Sequence, residues 1–193
     1  MNFKKLQAMQ LQLDHAILAE KAPMTADERF DKTLAALSVE IAEVANTVEH
    51  FKFWKDNKGK VDSKRFLTGV DKTYYDTVKL EKVTFAEAHK LTLVEECSDC
   101  LHFVLSLANQ AGERLQYTES RDKPLTLESH YLYIQNAITI ASDWFSFCKE
   151  IHGDQLLAAV LDYFHALGIT DEELEQAYYD KNEINYERLA NGY

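Results

Sequence analysis

The run Leu91 to Gln110, LTLVEECSDCLHFVLSLANQ, constrains this chain more than any other stretch. At helical spacing it is apolar on nearly every side, so as a helix it belongs in the middle of a bundle. Yet it carries Glu95, Glu96 and Asp99, and from Cys97 to Gly112 Asp99 is the sole formal charge. An ionised carboxylate in such surroundings is costly unless a cation meets it. Glu96 and Asp99 lie three residues apart on one helix face, and His102 follows a turn later. Most acidic pairs at this spacing are solvated surface. The apolar surroundings make this one read as half of a metal site.

The other half lies upstream. In Thr33 to Lys55, TLAALSVEIAEVANTVEHFKFWK, the apolar residues Leu34, Leu37, Ile41, Val44, Val48 and Phe51 step by three and four, the pattern of an amphipathic helix. Glu40 and Glu43 sit at the edge of that stripe. Packed on the central helix, this one brings four carboxylates together, and these repel strongly unless divalent cations lie between them. All-carboxylate ligation suits a hard ion, Mg²⁺ or Mn²⁺, rather than zinc. Mg²⁺ held this way fills its remaining positions with water and substrate phosphate, which points to a phosphorylated small molecule.

A chain of 193 residues reads as one domain with a proper core, and six glycines, two prolines and long helical periodicities predict an all-α protein. The net charge of −11 argues against a nucleic-acid polymer as ligand, though not against a nucleotide arriving with its own metal ions. The N-terminal run is amphipathic, with no signal peptide or membrane-spanning stretch. Three cysteines suggest no disulfide framework and fit a reducing cytoplasm. Cys97 and Cys100 form a C-x-x-C, but only Cys148 remains to make a second pair, so buried small residues is the better reading.

In chain order the pattern predicts about six helices. The first runs from about Phe3 to Glu20. Thr25 and Glu28, at capping-box spacing, open a second that continues to about Lys55. Asp56 to Val83 reads as a loop with one short helical piece near Lys72 to Leu80. Thr84 and Glu87 start the central helix and Gly112 stops it. A polar connection to Pro124 precedes a fourth helix from about Leu127 to Ile151, a fifth over roughly Asp154 to Leu167, and a last one capped by Thr170 and Glu173. The last helix has a face through Tyr178, Lys181, Asn185 and Arg188 that is aromatic, cationic and amide-bearing. Solvent usually takes such a face. Beside an acidic metal cluster, however, Lys181 and Arg188 would meet phosphate oxygens, and the amides and aromatics a base.

Together these pieces resemble the dimeric all-α dUTPase family, related to the MazG-type nucleotide pyrophosphohydrolases. The family pattern E-x-x-E followed by E-x-x-D stands here as Glu40-Ile41-Ala42-Glu43 and Glu96-Cys97-Ser98-Asp99. The segment EHFKFWK, with Lys52, Trp54 and Lys55, is similar to the family's run after its first pair. His102, Phe103 and LSLANQ are similar to its second. The terminal KNEINYERLANGY, with Lys181, Asn182, Asn185, Arg188, Gly192 and Tyr193, resembles its closing motif, and Gln10 falls at a base-contacting glutamine. The likeness is greatest to members from phages of Gram-positive bacteria. Two features depart from the compact members: Lys60 to Thr84 looks like an insertion outside the catalytic core, and Asp14 stands where some members carry asparagine.

The resemblance implies an all-α NTP pyrophosphatase (MazG-like) bundle over residues 1–193. It implies hydrolysis of dUTP to dUMP and pyrophosphate by attack of a metal-activated water on the phosphate chain, with dUDP as a further substrate. Glu40, Glu43, Glu96 and Asp99 would hold two or more Mg²⁺ ions, with Mn²⁺ as a substitute, and Glu43 would orient or deprotonate the attacking water. Lys181, Arg188 and Lys55 would neutralise phosphate charge. Trp54, His102 and Phe103 would wall the base and sugar pocket, with Gln10, Asn182, Asn185 and Tyr193 completing the substrate contacts. A homodimer follows from the family, with the aromatic fourth helix as an interface, and phage members are captured by a repressor protein. The location is the cytoplasm, that of a bacterial host for a phage-encoded chain.

Three competing readings remain at this stage. A related pyrophosphohydrolase for dCTP or another nucleotide would share the metal and phosphate machinery. A non-catalytic helical interaction protein would carry the acidic pairs as surface. A di-iron bundle needs Glu-x-x-His on two helices, and the chain offers only Asp99–His102 and Asp162–His165.

Overall fold

Four threonines set where helices begin. Thr25, Thr84, Thr126 and Thr170 each accept, on the side-chain oxygen, the backbone N–H three residues on. Thr84 with Glu87 and Thr170 with Glu173 form complete capping boxes, each cap worth about 1 kcal/mol. In the computed structural model, which describes residues 1–69, 71, 73–118 and 125–192, six helices stand among the described residues. They are α1 (Phe3–Ala19), α2 (Ala26–Val48), α3 (Phe85–Ala111), α4 (Leu127–Cys148), α5 (Gly153–Ala166) and α6 (Asp171–Ala190).

Helix α3 is the axis of the bundle, packed by α1, α2, α5 and α6. Cys97, Cys100, Leu101, Val104, Leu105, Leu107 and Ala108 have no exposed surface. Burying such apolar side chains contributes roughly 1.5–3 kcal/mol for each large one. Cys97 and Cys100 are free thiols acting as small core residues. Gly112 closes α3 in the left-handed region at φ 71°, where a Cβ would be strained. Helix α4 covers α2 and α5, its Phe145 ring stacked on Phe30 with centroids 3.5 Å apart. The all-α expectation holds.

Two expected elements differ. Helix α2 stops at Val48, seven residues short of Lys55, because Glu49 turns left-handed at φ 58°. The Glu49 carboxylate has almost no exposed surface. It is taken by the ammonium groups of Lys52 and Lys55, which hold it down to a pKa of about 2, and it also accepts the N–H of Gly59. That local capture outweighs continuing the helix.

The second difference lies in the stretch read as a loop with a helical piece near 72–80. It forms a three-stranded antiparallel meander: β1 (Phe66–Thr68), β2 (Tyr74–Asp76) and β3 (Glu81–Val83), pairing Phe66 with Asp76 and Tyr74 with Val83. Residue 72 itself lies outside the described residues. Phe66 and Val83 bury against Ala88 in the first turns of α3, with Val61, Tyr74 and Leu91 around them. The apolar contact with α3 sets the strands, which are too short to show an alternating pattern of their own.

Candidate active site

The helical register of the acidic pairs survives in three dimensions. Glu40 on α2 and Glu96 and Asp99 on α3 bring one carboxylate oxygen each to within 4.8 Å of one another. All three are half-buried. Glu43, one turn beyond Glu40, is exposed and lies outside this trio, yet close enough for its charge to act on Glu40 and Glu96. The crowding shows in the acidities. Glu96 is pushed up to about 7, first by burial and then by Asp99, Glu40, Glu43 and Glu95. Burial, then Asp99, raises Glu40, and burial raises Asp99 against the opposing pull of Lys181. Oxygen-only donors whose negative charge is held back by their neighbours fit a hard divalent cation.

Lys181 of α6 meets this cluster from the far side. Its Nζ lies 2.8 Å from Asp99 Oδ2 and 3.4 Å from Glu95 Oε1. Burial acts to lower its pKa, but Asp99 and Glu95 outweigh it and the net shift is upward, so the ammonium is charged. From here a cleft of about 520 Å³ opens between α1, α2, α3 and α6. Glu40 and Asp99 stand in its wall together with the basic side chains of Arg29, Lys181 and Arg188. An acidic pole beside several cations suits a polyanion carried with metal ions.

A polar network forms the other wall. Gln10 Oε1 accepts from the Tyr178 hydroxyl at 3.1 Å and lies 2.7 Å from His102 Nδ1. Gln10 Nε2 donates to Asp14 Oδ1 at 2.7 Å, and the Ser106 hydroxyl donates to Asp14 Oδ2 at 2.7 Å. His102 is buried and stacks on Tyr178 at 4.1 Å, and burial lowers its pKa to about 3, so the ring is neutral. With Nδ1 bearing the proton toward Gln10, Nε2 is left as a buried acceptor without a partner. Burial also raises Asp14, against hydrogen bonds from Ser106 and Gln10.

The residues expected from sequence separate into groups. Gln10, Glu40, Asp99, His102, Phe103, Lys181, Asn185 and Arg188 line the cleft. Glu96 joins through the carboxylate trio. Asn182 is buried outside the lining, its Nδ2 without a partner. Trp54, two-thirds exposed, and Lys55, bound to Glu49, lie away from the cleft. Tyr193 lies outside the described residues.

Sequence reasoning missed Arg29, Thr33 and Ala36, and Ser106 and Gln110. Extending the register of the acidic pairs would have found them. Positions 29, 33, 36 and 40 of α2, and 99, 102, 106 and 110 of α3, step by three and four along one face, and all line the cleft.

Comparison with known families agrees with this geometry. A family model described as dUTPase matches residues 2–76 and 82–193. A search of curated proteins returned no match.

Proposed function

The chain belongs to the all-α dUTPase family, a family of dUTP diphosphatases; from that premise we propose a Mg²⁺-dependent enzyme that converts dUTP, and also dUDP, to dUMP. The observation that carries this reading is the Glu40–Glu96–Asp99 trio opening onto a cleft walled by Lys181, Arg188 and a fixed polar network. The trio, with Glu43 beside it, would hold two or more Mg²⁺ ions, or Mn²⁺ in their place. Bound there, such ions neutralise phosphate charge and lower the pKa of a bound water. Glu43, exposed at the edge of the trio, would orient or deprotonate the attacking water. Lys181 and Arg188 donate to phosphate oxygens as negative charge develops on them.

Gln10, held rigidly by its own network, and Asn185 present amide edges toward the base from the cleft wall, with Asn182 as a buried amide behind them. Phe103 and His102 wall the sugar side, where a close fit leaves no room for a 2′-hydroxyl. Trp54, Lys55 and Tyr193 are further substrate contacts on this reading, Trp54 and Lys55 from outside the cleft lining.

The working form is a homodimer. Leu132, Ile140, Trp144 and Phe147 step along the outer face of α4 and are 40% to 90% exposed, an apolar stripe that a second copy would cover. A repressor protein of the kind that captures phage relatives is a further partner on this reading. The cytoplasm is its place; among the described residues no helix is long and apolar enough to cross a membrane.

The test is phosphate release, after coupling to a pyrophosphatase, from dUTP, dUDP, dCTP, dTTP and UTP, with Mg²⁺ and with chelator. Turnover confined to dUTP and dUDP and lost on chelation is expected. Turnover of dCTP or UTP at the same rate would overturn the base and sugar assignments. Undiminished turnover under chelation would overturn the metal role.

A further inference from the structure

Lys181 is one link in a longer chain of alternating charges. Its second partner, Glu95, lies outside the carboxylate trio and has its other oxygen, Oε2, 3.6 Å from Arg65 Nη1. Arg65 belongs to the meander and is tightly fixed there. Its Nε and Nη2 donate to the two oxygens of Asp76 at 3.2 and 2.9 Å, and its guanidinium stands 5.0 Å from the Phe66 ring. Asp76 has no exposed surface and also accepts the N–H groups of Val78 and Lys79. From meander to site the order is therefore Asp76, Arg65, Glu95, Lys181, Asp99, with the sign changing at every step.

This order matters once Asp99 serves a cation. A divalent ion at Asp99 competes for the carboxylate that Lys181 uses and repels the ammonium. A lysine side chain is a strongly hydrated charge on a flexible stem, so with Asp99 as its sole partner it would turn to solvent. Glu95 gives it a carboxylate that the trio does not share, and Arg65 holds that carboxylate in place. We propose that Glu95, braced by Arg65 of the meander, is a positioning residue that keeps Lys181 at the phosphate end of the cleft when Asp99 turns to a metal ion. This inference rests on the reading of Lys181 as a phosphate contact. It makes the meander part of the site's support, although none of its described residues lines the cleft.

Generic electrostatics and this role predict opposite signs, which gives a clean test. Removing a negative charge beside an anion site tightens anion binding; losing the support of Lys181 weakens it. The probe is α,β-imido-dUTP with Mg²⁺, measured by calorimetry on the full chain, with dUTP turnover recorded on the same preparations. Glu95→Gln, close to isosteric, is expected to weaken binding about tenfold and to raise KM more than it lowers kcat. The same change in a Lys181→Met background produces no further weakening. Arg65→Lys, which keeps a cation beside Asp76, is expected to weaken binding in the same direction by a smaller factor. Unchanged or tighter binding in Glu95→Gln, or an equal loss with Lys181 already removed, would overturn the role of Glu95. Wild-type affinity and turnover in Arg65→Lys would overturn the brace. A wild-type chain that binds and hydrolyses no deoxyuridine nucleotide would instead overturn the functional reading beneath both.

Discussion

His102 Nδ1 lies 2.7 Å from Gln10 Oε1, joining α3 to α1 across 92 positions of sequence. The Tyr178 hydroxyl donates to the same oxygen, so one glutamine amide ties three helices and is fixed in orientation. Burial holds His102 near a pKa of about 3, well below the ordinary 6.5. A histidine depressed in the folded state is protonated first in the unfolded one. Its contribution to stability is complete above about pH 6.5 and is lost as the pH falls toward 3, with a slope approaching roughly 1.4 kcal/mol per pH unit. Urea unfolding between pH 7 and pH 4.5 should therefore show a shallower pH dependence in His102→Gln than in the wild-type chain. Parallel curves would mean that His102 titrates alike in the folded and unfolded chain and is not held neutral by the fold.

Glu96 titrates in the opposite sense. Raised from 4.5 to about 7 by burial and neighbouring carboxylates, it favours the protonated folded state, so the metal-free protein loses stability as the pH rises from about 4.5 through 7. A divalent ion displaces that proton and reverses the loss. The Mg²⁺-induced rise in Tm should be larger at pH 8 than at pH 6, and Glu96→Gln should abolish the difference. An equal rise at both pH values would mean that the ions bind elsewhere.

Single substitutions can separate the four carboxylates. Glu40→Ala, Glu96→Ala and Asp99→Asn should each reduce dUTP turnover by at least about 10²-fold while leaving the fold intact. Glu43→Ala, at an exposed position outside the trio, should lower kcat by about 10²- to 10⁴-fold and weaken Mg²⁺ binding less than the trio substitutions do. Full turnover in that variant would remove Glu43 from the water-activating role.

Asp76 offers a test of the meander's independence. Replacing it by asparagine removes the charged partner that takes two N–H groups of the four-fifths-buried Arg65 guanidinium and leaves only the more distant Glu95 at 3.6 Å, a loss of about 3 kcal/mol where such a pair is enclosed. Hydrogen exchange should show the amides of 60–84 losing protection while those in the middle of α3 keep theirs. Equal loss throughout would mean that meander and bundle unfold as one unit.

Much of this architecture is legible in the sequence, and the reasons are local. Threonine caps with a glutamate three residues on act within one turn, so Thr84 and Thr170 marked the helix starts correctly. Charged residues inside an apolar run stand out in any helical register, so Glu96 and Asp99 were visible, with Glu40 as their counterpart. The illegible parts depended on contacts distant in sequence. The end of α2 follows from the capture of Glu49 by two lysines and Gly59. The meander consists of three-residue strands whose Phe66 and Val83 are held by Ala88, and its second turn passes through Leu80 at φ 57°, a conformation that a leucine does not announce. The pairing of Gln10 with His102 required α1 and α3 to be placed side by side first.

The left-handed residue that ends α2 divides one stretch of chain into two with different obligations. Before Glu49, every turn from Arg29 to Glu40 is committed to the cleft, and a shift of an ångström there would spoil the donor set. After it, Phe51, Phe53 and Trp54 project from an anchor neutralised on the spot by Lys52 and Lys55, with no core residue to satisfy. The aromatic segment can be lengthened or exchanged without disturbing Glu40, more than two turns before the break. The cleft-lining face of α2 and the exposed aromatic segment are thus free to change separately within some fifteen residues.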